Sequence, residues 1–267
     1  MNYKKLIIIC LLGIGFIIPN KPKVALVLSG GGAKGYAHIP VLEMIDSLNI
    51  NIDLIIGTSI GANVGGLYST GYSASEIYDY AFNANWKAIF LEKSERKDMS
   101  YFHKKNYSRY QIKFNLNGFI PKIPTGAIHG QRAYMELSEI LGQYEYIKDF
   151  DNLVIPFKCN ATDLISGQDI LFSKGSLITS MRASFSIPSI FSPVDYNGYL
   201  LVDGGVKNNI PVNLAQKYNP DIIITSAVTS SKPTKNQIQL SILDVIGESI
   251  FIHTSDFTKS NLKNSDY

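Results

Sequence analysis

Residues 23–69 read KVALVLSGGGAKGYAHIPVLEMIDSLNINIDLIIGTSIGANVGGLYS, and this stretch decides the fold. Lys23–Leu28 is a short apolar, β-branched run that ends in Ser29 and three glycines, the pattern of a buried strand. From Tyr36 to Leu48 apolar residues recur at helical spacing, at Ile39, Leu42, Ile45 and Leu48, which predicts a helix. Ile52–Ile56 is a second buried strand, followed by a glycine-flanked turn and a helix from Ala62 to Ser69. Strand–helix–strand–helix on this scale predicts a parallel α/β sheet.

Two loops inside this stretch carry chemistry. Gly30-Gly31-Gly32-Ala33-Lys34-Gly35 lies between a strand and a helix, where glycines let the backbone approach a ligand and expose N–H groups beside a positive helix end. The literal G-x-G-x-x-G match raises a dinucleotide site, but Asp53 sits at the start of its strand, the wrong sheet edge for a ribose contact. A phosphate-binding loop needs Gly-Lys-Ser/Thr, and here Lys34 is followed by Gly35. Gly57-Thr58-Ser59-Ile60-Gly61 fits G-x-S-x-G, between a buried strand and a helix as that motif requires. The 22 positions from Gly35 to Gly57 hold one crossover helix and one strand. Both loops then leave one sheet edge, and Ser59 faces amides able to hold a tetrahedral oxyanion.

Farther along, Ser73–Phe90 reads as helical, and Lys93–Thr125 as a long irregular excursion beside the site. Gln131–Leu141 and Leu177–Ala183 read as helices. Val154–Asn160, Gln168–Ser173, Tyr199–Val202 and Asp221–Val228 read as strands. Ser230–Asn236 is a loop and Gln237–Asn261 an amphipathic helix. A third loop, Asp203-Gly204-Gly205, places a carboxylate at a strand end with small residues after it. Of the four histidines, His38 follows the glycine loop as a packing residue, His103 and His129 lie in irregular stretches, and His253 falls in the C-terminal helix. None is placed to serve Ser59, which favours a direct serine–aspartate dyad.

Composition bounds the rest. The 267 residues allow one sizeable α/β domain with a tail; 45% are apolar and 18% charged, enough for a full core and unlike a disordered chain. The net charge of +3 comes without a basic block, so nucleic acid is not an expected partner. Cys10 and Cys159 cannot build a disulfide framework, and without CxxC or HExxH, and with the histidines scattered, a structural zinc site is not expected. Lys4 and Lys5 followed by apolar Leu6–Ile18 form the pattern of a secretory signal, too short for a comfortable bilayer span of about 20 residues. Residues 1–20 are therefore read as a signal peptide or N-terminal anchor, and the protein as exported: periplasmic, outer-membrane-associated or secreted.

The three loops in this order resemble the patatin-like phospholipase family. The supporting pieces are Tyr36-Ala37-His38-Ile39, Arg182-Ala183-Ser184 up to Pro188, and Asn209-Ile210-Pro211-Val212, and the resemblance runs from about Lys23 to Val228. It implies a three-layer α/β/α fold with a mostly parallel central sheet, over residues 21–230, with 231–267 as a helical tail, naturally short or truncated. It implies a lipid acyl hydrolase with Ser59 as nucleophile and Asp203 as general base, acting on membrane phospholipid or another lipid ester. The oxyanion hole falls on the glycine loop, Gly30 to Gly35, with donors near Gly31, Gly32 and Ala33 and a further one at Ile60. Lys34 adds positive field there, and Gly57, Gly61, Gly204 and Gly205 complete the motifs. No cofactor is implied, and no oligomeric state. Pro40 stands where relatives often carry glycine, and inside a first helical turn it predicts a kink. Trp86, Ile89, Phe90, Phe185, Ile187, Ile190 and Phe191 are either core or the wall of an acyl groove. Two alternatives remain: an acyltransferase or non-lipid esterase, and an inactive passenger or binding module of a larger secretion system.

Overall fold

A computed structural model describes residues 21–86, 89, 101, 115–117, 120–122, 126–228 and 255–267. Residues 1–20, read above as a signal or anchor, with Cys10, most of the 93–125 excursion, the 230–236 loop, the first part of the 237–261 helix, His103, His253 and Phe90 lie outside the described residues.

Strand β1 (Val24–Leu28) is buried along its whole length, as its apolar run requires. The expected Tyr36–Leu48 helix divides into a 3-10 turn, Gly32–His38, and helix α1, Ile39–Ser47. Pro40 is the second residue of α1, where its missing N–H has no intrahelical acceptor to lose, so it starts the helix instead of kinking it. Strand β2 (Leu54–Thr58) runs straight into α2 (Ile60–Ser69), which is buried at every position except Asn63. Helix α3 is shorter than its reading, Ala74–Asn83, and begins with a capping box in which Ser73 and Glu76 bond each other's backbone N–H groups.

After the short strands β3 (Asn115–Asn117), β4 (Ile120–Lys122) and β5 (Gly126–Ile128), helix α4 spans Gln131–Leu141. Strands β6 (Phe157–Asp163) and β7 (Asp169–Phe172) follow, then α5 (Leu177–Ser184). Strands β8 (Ser189–Phe191), β9 (Val194–Tyr196) and β10 (Tyr199–Asp203) precede α6 (Val212–Gln216) and β11 (Ile222–Ser226). A tail helix, α7, covers 255–262.

The central sheet has parallel neighbours in the order β11-β1-β2-β6, and antiparallel pairing where β7 and β10 join β6 and β9 joins β10. Alternate strand residues feed two apolar layers. Leu26, Leu28 and Ile55 pack under α1, α2 and α5, whereas Ala25, Val27 and Ile56 pack under α6 and Leu262 of α7. The result is the expected three-layer α/β/α arrangement around a central sheet.

The register at β6 positions the site. Along Cys159–Thr162, β7 occupies one edge of β6. The other edge is shared: β2 pairs with Phe157–Asn160, and β10 pairs with Ala161–Asp163 from the opposite direction. Thr58 is level with Asn160 and Asp203 with Ala161, so the C-terminal ends of β2 and β10 meet head to head on one edge.

Candidate active site

Ser59 is the residue at which β2 turns into α2. Its backbone, φ 55° and ψ −123°, is one that a side-chain-bearing residue rarely adopts, so surrounding contacts must hold it. The glycines around it make the turn possible by close approach. A side chain at Gly57 would start 2.4 Å from the Gly61 carbonyl oxygen, and one at Gly61 2.5 Å from the carbonyl oxygens of Leu28 and Ser29. The Ser59 N–H donates to Ser184 Oγ at 2.9 Å.

The Ser59 hydroxyl donates to Asp203 Oδ2 at 2.6 Å, a bond 144 residues apart in sequence. Both residues are buried, at 4% and 6% exposure. The other carboxylate oxygen of Asp203 accepts the Gly205 N–H at 2.7 Å, a contact that needs the small turn after it. Burial pushes the Asp203 carboxyl up from the ordinary 3.8 to about 6, against the pull of the bonds from Ser59 and Gly205. A carboxylate held near neutrality, bonded to one serine hydroxyl, is equipped to take that hydroxyl's proton.

The glycine loop lies directly against this pair. A side chain on Gly30 would start 3.1 Å from Ser59 Cβ, and one on Gly35 only 1.8 Å from Ile60 Cγ2. The loop's amides are not equivalent. The Gly30 N–H donates to Asn209 O and the Lys34 N–H to Gly31 O. Gly31, Gly32 and Ala33 precede the first bond of the 3-10 turn, and their N–H groups have no acceptor among the described residues. The Ile60 N–H, at the start of α2, is in the same position. Gly32 has φ +56° and nothing within 4 Å of a would-be side chain, and Lys34 is exposed on the rim. Gly204 touches Asn160, where a side chain would start 2.5 Å from its carbonyl oxygen.

The described histidines are elsewhere. His38 is buried under the glycine loop, its Nε2 2.9 Å from Ser29 O and its Nδ1 2.7 Å from Ser226 Oγ. Nε2 must donate to that carbonyl, so Nδ1 accepts from the serine; burial lowers the ring's pKa and keeps it neutral. His129 meets Arg182 Nη2 through its backbone carbonyl.

Sequence reasoning missed the bracket behind the pair. Arg182, buried in α5, donates to the His129 and Gly130 carbonyls and to Ser186 Oγ, with its guanidinium over the Phe191 ring. It holds the segment whose Ser184 accepts from Ser59 and whose Ser186 carbonyl accepts the Asp203 N–H. The signal available was Arg182 itself, the one charged residue in the helix LITSMRAS.

An apolar cavity of about 30 Å³ is lined among others by Tyr36, Ile60, Asn63, Trp86, Ile89 and Phe185, and touches the elbow through Ile60, the residue after Ser59. Ile187, Ile190 and Phe191 belong to the small core around Ile89 and Phe185, and of the described members of this set Trp86, Ile89 and Phe185 line the cavity. Among the described residues no group of His, Cys, Asp and Glu side chains is gathered closely enough to hold a metal ion, and no helix is long and apolar enough to cross a membrane.

Comparison with known proteins identifies the family. The family model for patatin-like phospholipase matches residues 26–215. An uncharacterized NTE family protein of Mycobacterium tuberculosis is 29% identical over 214 residues, 80% of this chain and 51% of that protein. A lysophospholipase NTE1 of Candida albicans is 31% identical over 213 residues, 80% of this chain and 14% of that protein. The chain therefore spans about half the length of its mycobacterial relatives and a much smaller part of the yeast ones. The solved structure of VipD from Legionella pneumophila aligns with a TM-score of 0.46 at 14% identity, covering 72% of this chain and 47% of that one. The chain belongs to the patatin-like phospholipase family.

Proposed function

We propose that this protein is a lipid acyl ester hydrolase of the phospholipase A or lysophospholipase type, working through a Ser59–Asp203 dyad. The observation that carries the reading is the 2.6 Å bond from the Ser59 hydroxyl to a buried carboxylate whose affinity for a proton is raised. Family membership and the lysophospholipase name of the yeast relatives support the substrate class. In the proposed cycle Ser59 Oγ attacks the ester carbonyl as Asp203 takes its proton. The carbonyl oxygen becomes an oxyanion held by the N–H groups of Gly31, Gly32, Ala33 and Ile60. Collapse breaks the ester bond, and Asp203 returns the proton to the departing alcohol. Water then attacks the acyl-enzyme, giving a proton to Asp203, and collapse frees the acid and returns that proton to Ser59.

A second reading is an esterase or acyltransferase for short acyl groups. It is favoured by the small volume, about 30 Å³, of the apolar cavity lined by Ile60, the residue after Ser59. The basic-then-apolar residues 1–20 support export as part of the proposal, tested by fusing them to a reporter and asking whether it leaves the cytoplasm. The deciding experiment is a panel of phospholipids, lysophospholipids, triglyceride and short p-nitrophenyl esters, run on the protein and on Ser59→Ala. Serine-dependent release of long-chain fatty acid supports the first reading, and cleavage confined to short esters the second. A protein that cleaves none of them and is not labelled by a fluorophosphonate probe is an inactive module.

A further inference from the structure

Behind the dyad lies a connected set of polar side chains for which the proposed chemistry has no use. Asp169, the first residue of β7, stands on the edge of β6 away from Ser59. Its two carboxylate oxygens are taken by two different asparagines: Asn160 Nδ2 donates to Oδ1 at 2.8 Å and Asn208 Nδ2 to Oδ2 at 2.7 Å. Each asparagine reaches one half of the site. Asn160 Oδ1 accepts the hydroxyl of Thr58, the residue before Ser59, at 2.6 Å. The Asn208 N–H donates to Gly204 O, in the turn after Asp203, at 2.8 Å. The two halves are cross-tied, because Asn160 Nδ2 also donates to Asn208 O at 3.1 Å. Thr58, Asn160 and Asn208 are fully buried, so water cannot replace these bonds.

Donors and acceptors close in this cluster. Asn160 spends its two amide hydrogens on Asp169 and on Asn208 O, and Asn208 spends its two on Asp169 and on Asn213 Oδ1. The tail completes it: Asn261 of α7 donates to Asn208 Oδ1 at 3.1 Å and to Ile210 O at 2.8 Å. That residue lies outside the 26–215 span of the family match.

We infer that Asp169 is a positioning residue, a carboxylate clamp that fixes Ser59 and Asp203 at bonding distance through Asn160 and Asn208, with Asn261 bracing it from the C-terminal helix. The inference rests on the hydrolase reading. It depends on chemistry, not on volume. In Asp169→Asn one of the two positions becomes an NH₂ group facing the NH₂ of Asn160 or of Asn208, and flipping the amide only moves the conflict to the other arm. In Asn160→Asp/Asp169→Asn the amide and carboxylate change places. The 160–169 bond re-forms in reverse and Asn208 and Thr58 keep acceptors, while the bond to Asn208 O gives way to a contact between a carboxylate oxygen and that carbonyl.

The test is steady-state hydrolysis of a short p-nitrophenyl ester by the full chain, with melting temperatures measured alongside. Asp169→Asn should lower kcat about tenfold or more with KM within about twofold, as expected when reacting groups are held slightly apart. The exchanged pair should regain at least about threefold of that loss, which a merely structural role gives no reason to expect. A folded Asp169→Asn with wild-type kcat, or an exchanged pair no more active than Asp169→Asn, overturns the inference. Should Asp169→Asn not fold, Asn261→Ala decides: a kcat about threefold lower at unchanged KM supports the clamp, and a wild-type kcat overturns it. Ser59→Ala separates the two levels. If it is as active as wild type, the hydrolase reading fails and this inference with it; if it is inactive while Asp169→Asn is unaffected, this inference alone fails.

Discussion

The two halves of the proposed dyad are built in different ways. Ser59 comes from a local unit, β2 turning directly into α2, where adjacent glycines and a positive φ fix the geometry within a few residues. Asp203 comes from β10, which runs against the parallel strands and reaches the site only because β6 extends past the end of β2. The serine half is set by backbone conformation and the aspartate half by register. A change in the serine half should therefore act on chemistry at one point, and a change in the aspartate half should act through alignment or through the cost of a buried charge.

The largest expected effect is on the serine side. Ser59→Ala should remove at least about 10³-fold of turnover while the melting temperature stays near wild type, since no buried apolar group is lost. Turnover measured beside a thermal melt checks this, and residual activity above one per cent would break the local picture.

Next comes the glycine loop. Gly32 has open space around it but a left-handed backbone. Gly32→Val should keep the fold yet swing a peptide N–H away from Ser59, costing about 10²–10³ in kcat, the usual loss for one oxyanion donor. A folded, fully active variant would remove this loop from the mechanism.

On the aspartate side the effect is one of pH. In its proposed role as base Asp203 must be ionised, so kcat/KM should fall about tenfold per unit below pH 6, as read from a pH–rate profile. Stability moves the opposite way. The folded state holds this proton more tightly than the unfolded chain, so the ionised carboxylate opposes folding, and its contribution is lost as pH rises through about 6. Asp203→Asn should thus be more stable than wild type above pH 6, by up to about 3 kcal/mol, with the difference gone below about pH 4. Denaturant unfolding at pH 4 and pH 8 gives the sign directly.

The smallest effect is expected at the far end of that hairpin. Asn197 and Gly198 join β9 to β10 with φ 53° and 81°, the two-residue turn whose twist suits a hairpin. Gly198→Ala should cost about 1 kcal/mol of stability and leave kcat unchanged. A drop in kcat would mean that hairpin register is transmitted to Asp203.

The same contrast explains what was legible in the sequence. The strand–turn–helix around Ser59 was readable because each requirement is local: an apolar run, a sharp turn, glycines where a side chain would strike backbone. Helix α4 was read to its observed ends for the same reason. Asp203 was readable only as a motif, because nothing in Tyr199–Val202 announces antiparallel pairing; the Asn197-Gly198 turn was the available hint. Strand β6 was placed about three residues early, at Val154–Asn160, since apolar alternation does not show where a partner strand stops. The Asp169 clamp was illegible, because its members are far apart in sequence and each alone is an ordinary polar residue.

The central claim is that Asp203, and no histidine, activates Ser59. Turnover of Asp203→Asn measured beside His38, His103, His129 and His253 each changed to Ala tests it most directly. The account predicts that Asp203→Asn loses activity nearly as completely as Ser59→Ala, with no further loss when the two are combined, while every folded histidine variant keeps substantial turnover. A histidine variant that is folded and inactive while Asp203→Asn survives would contradict it.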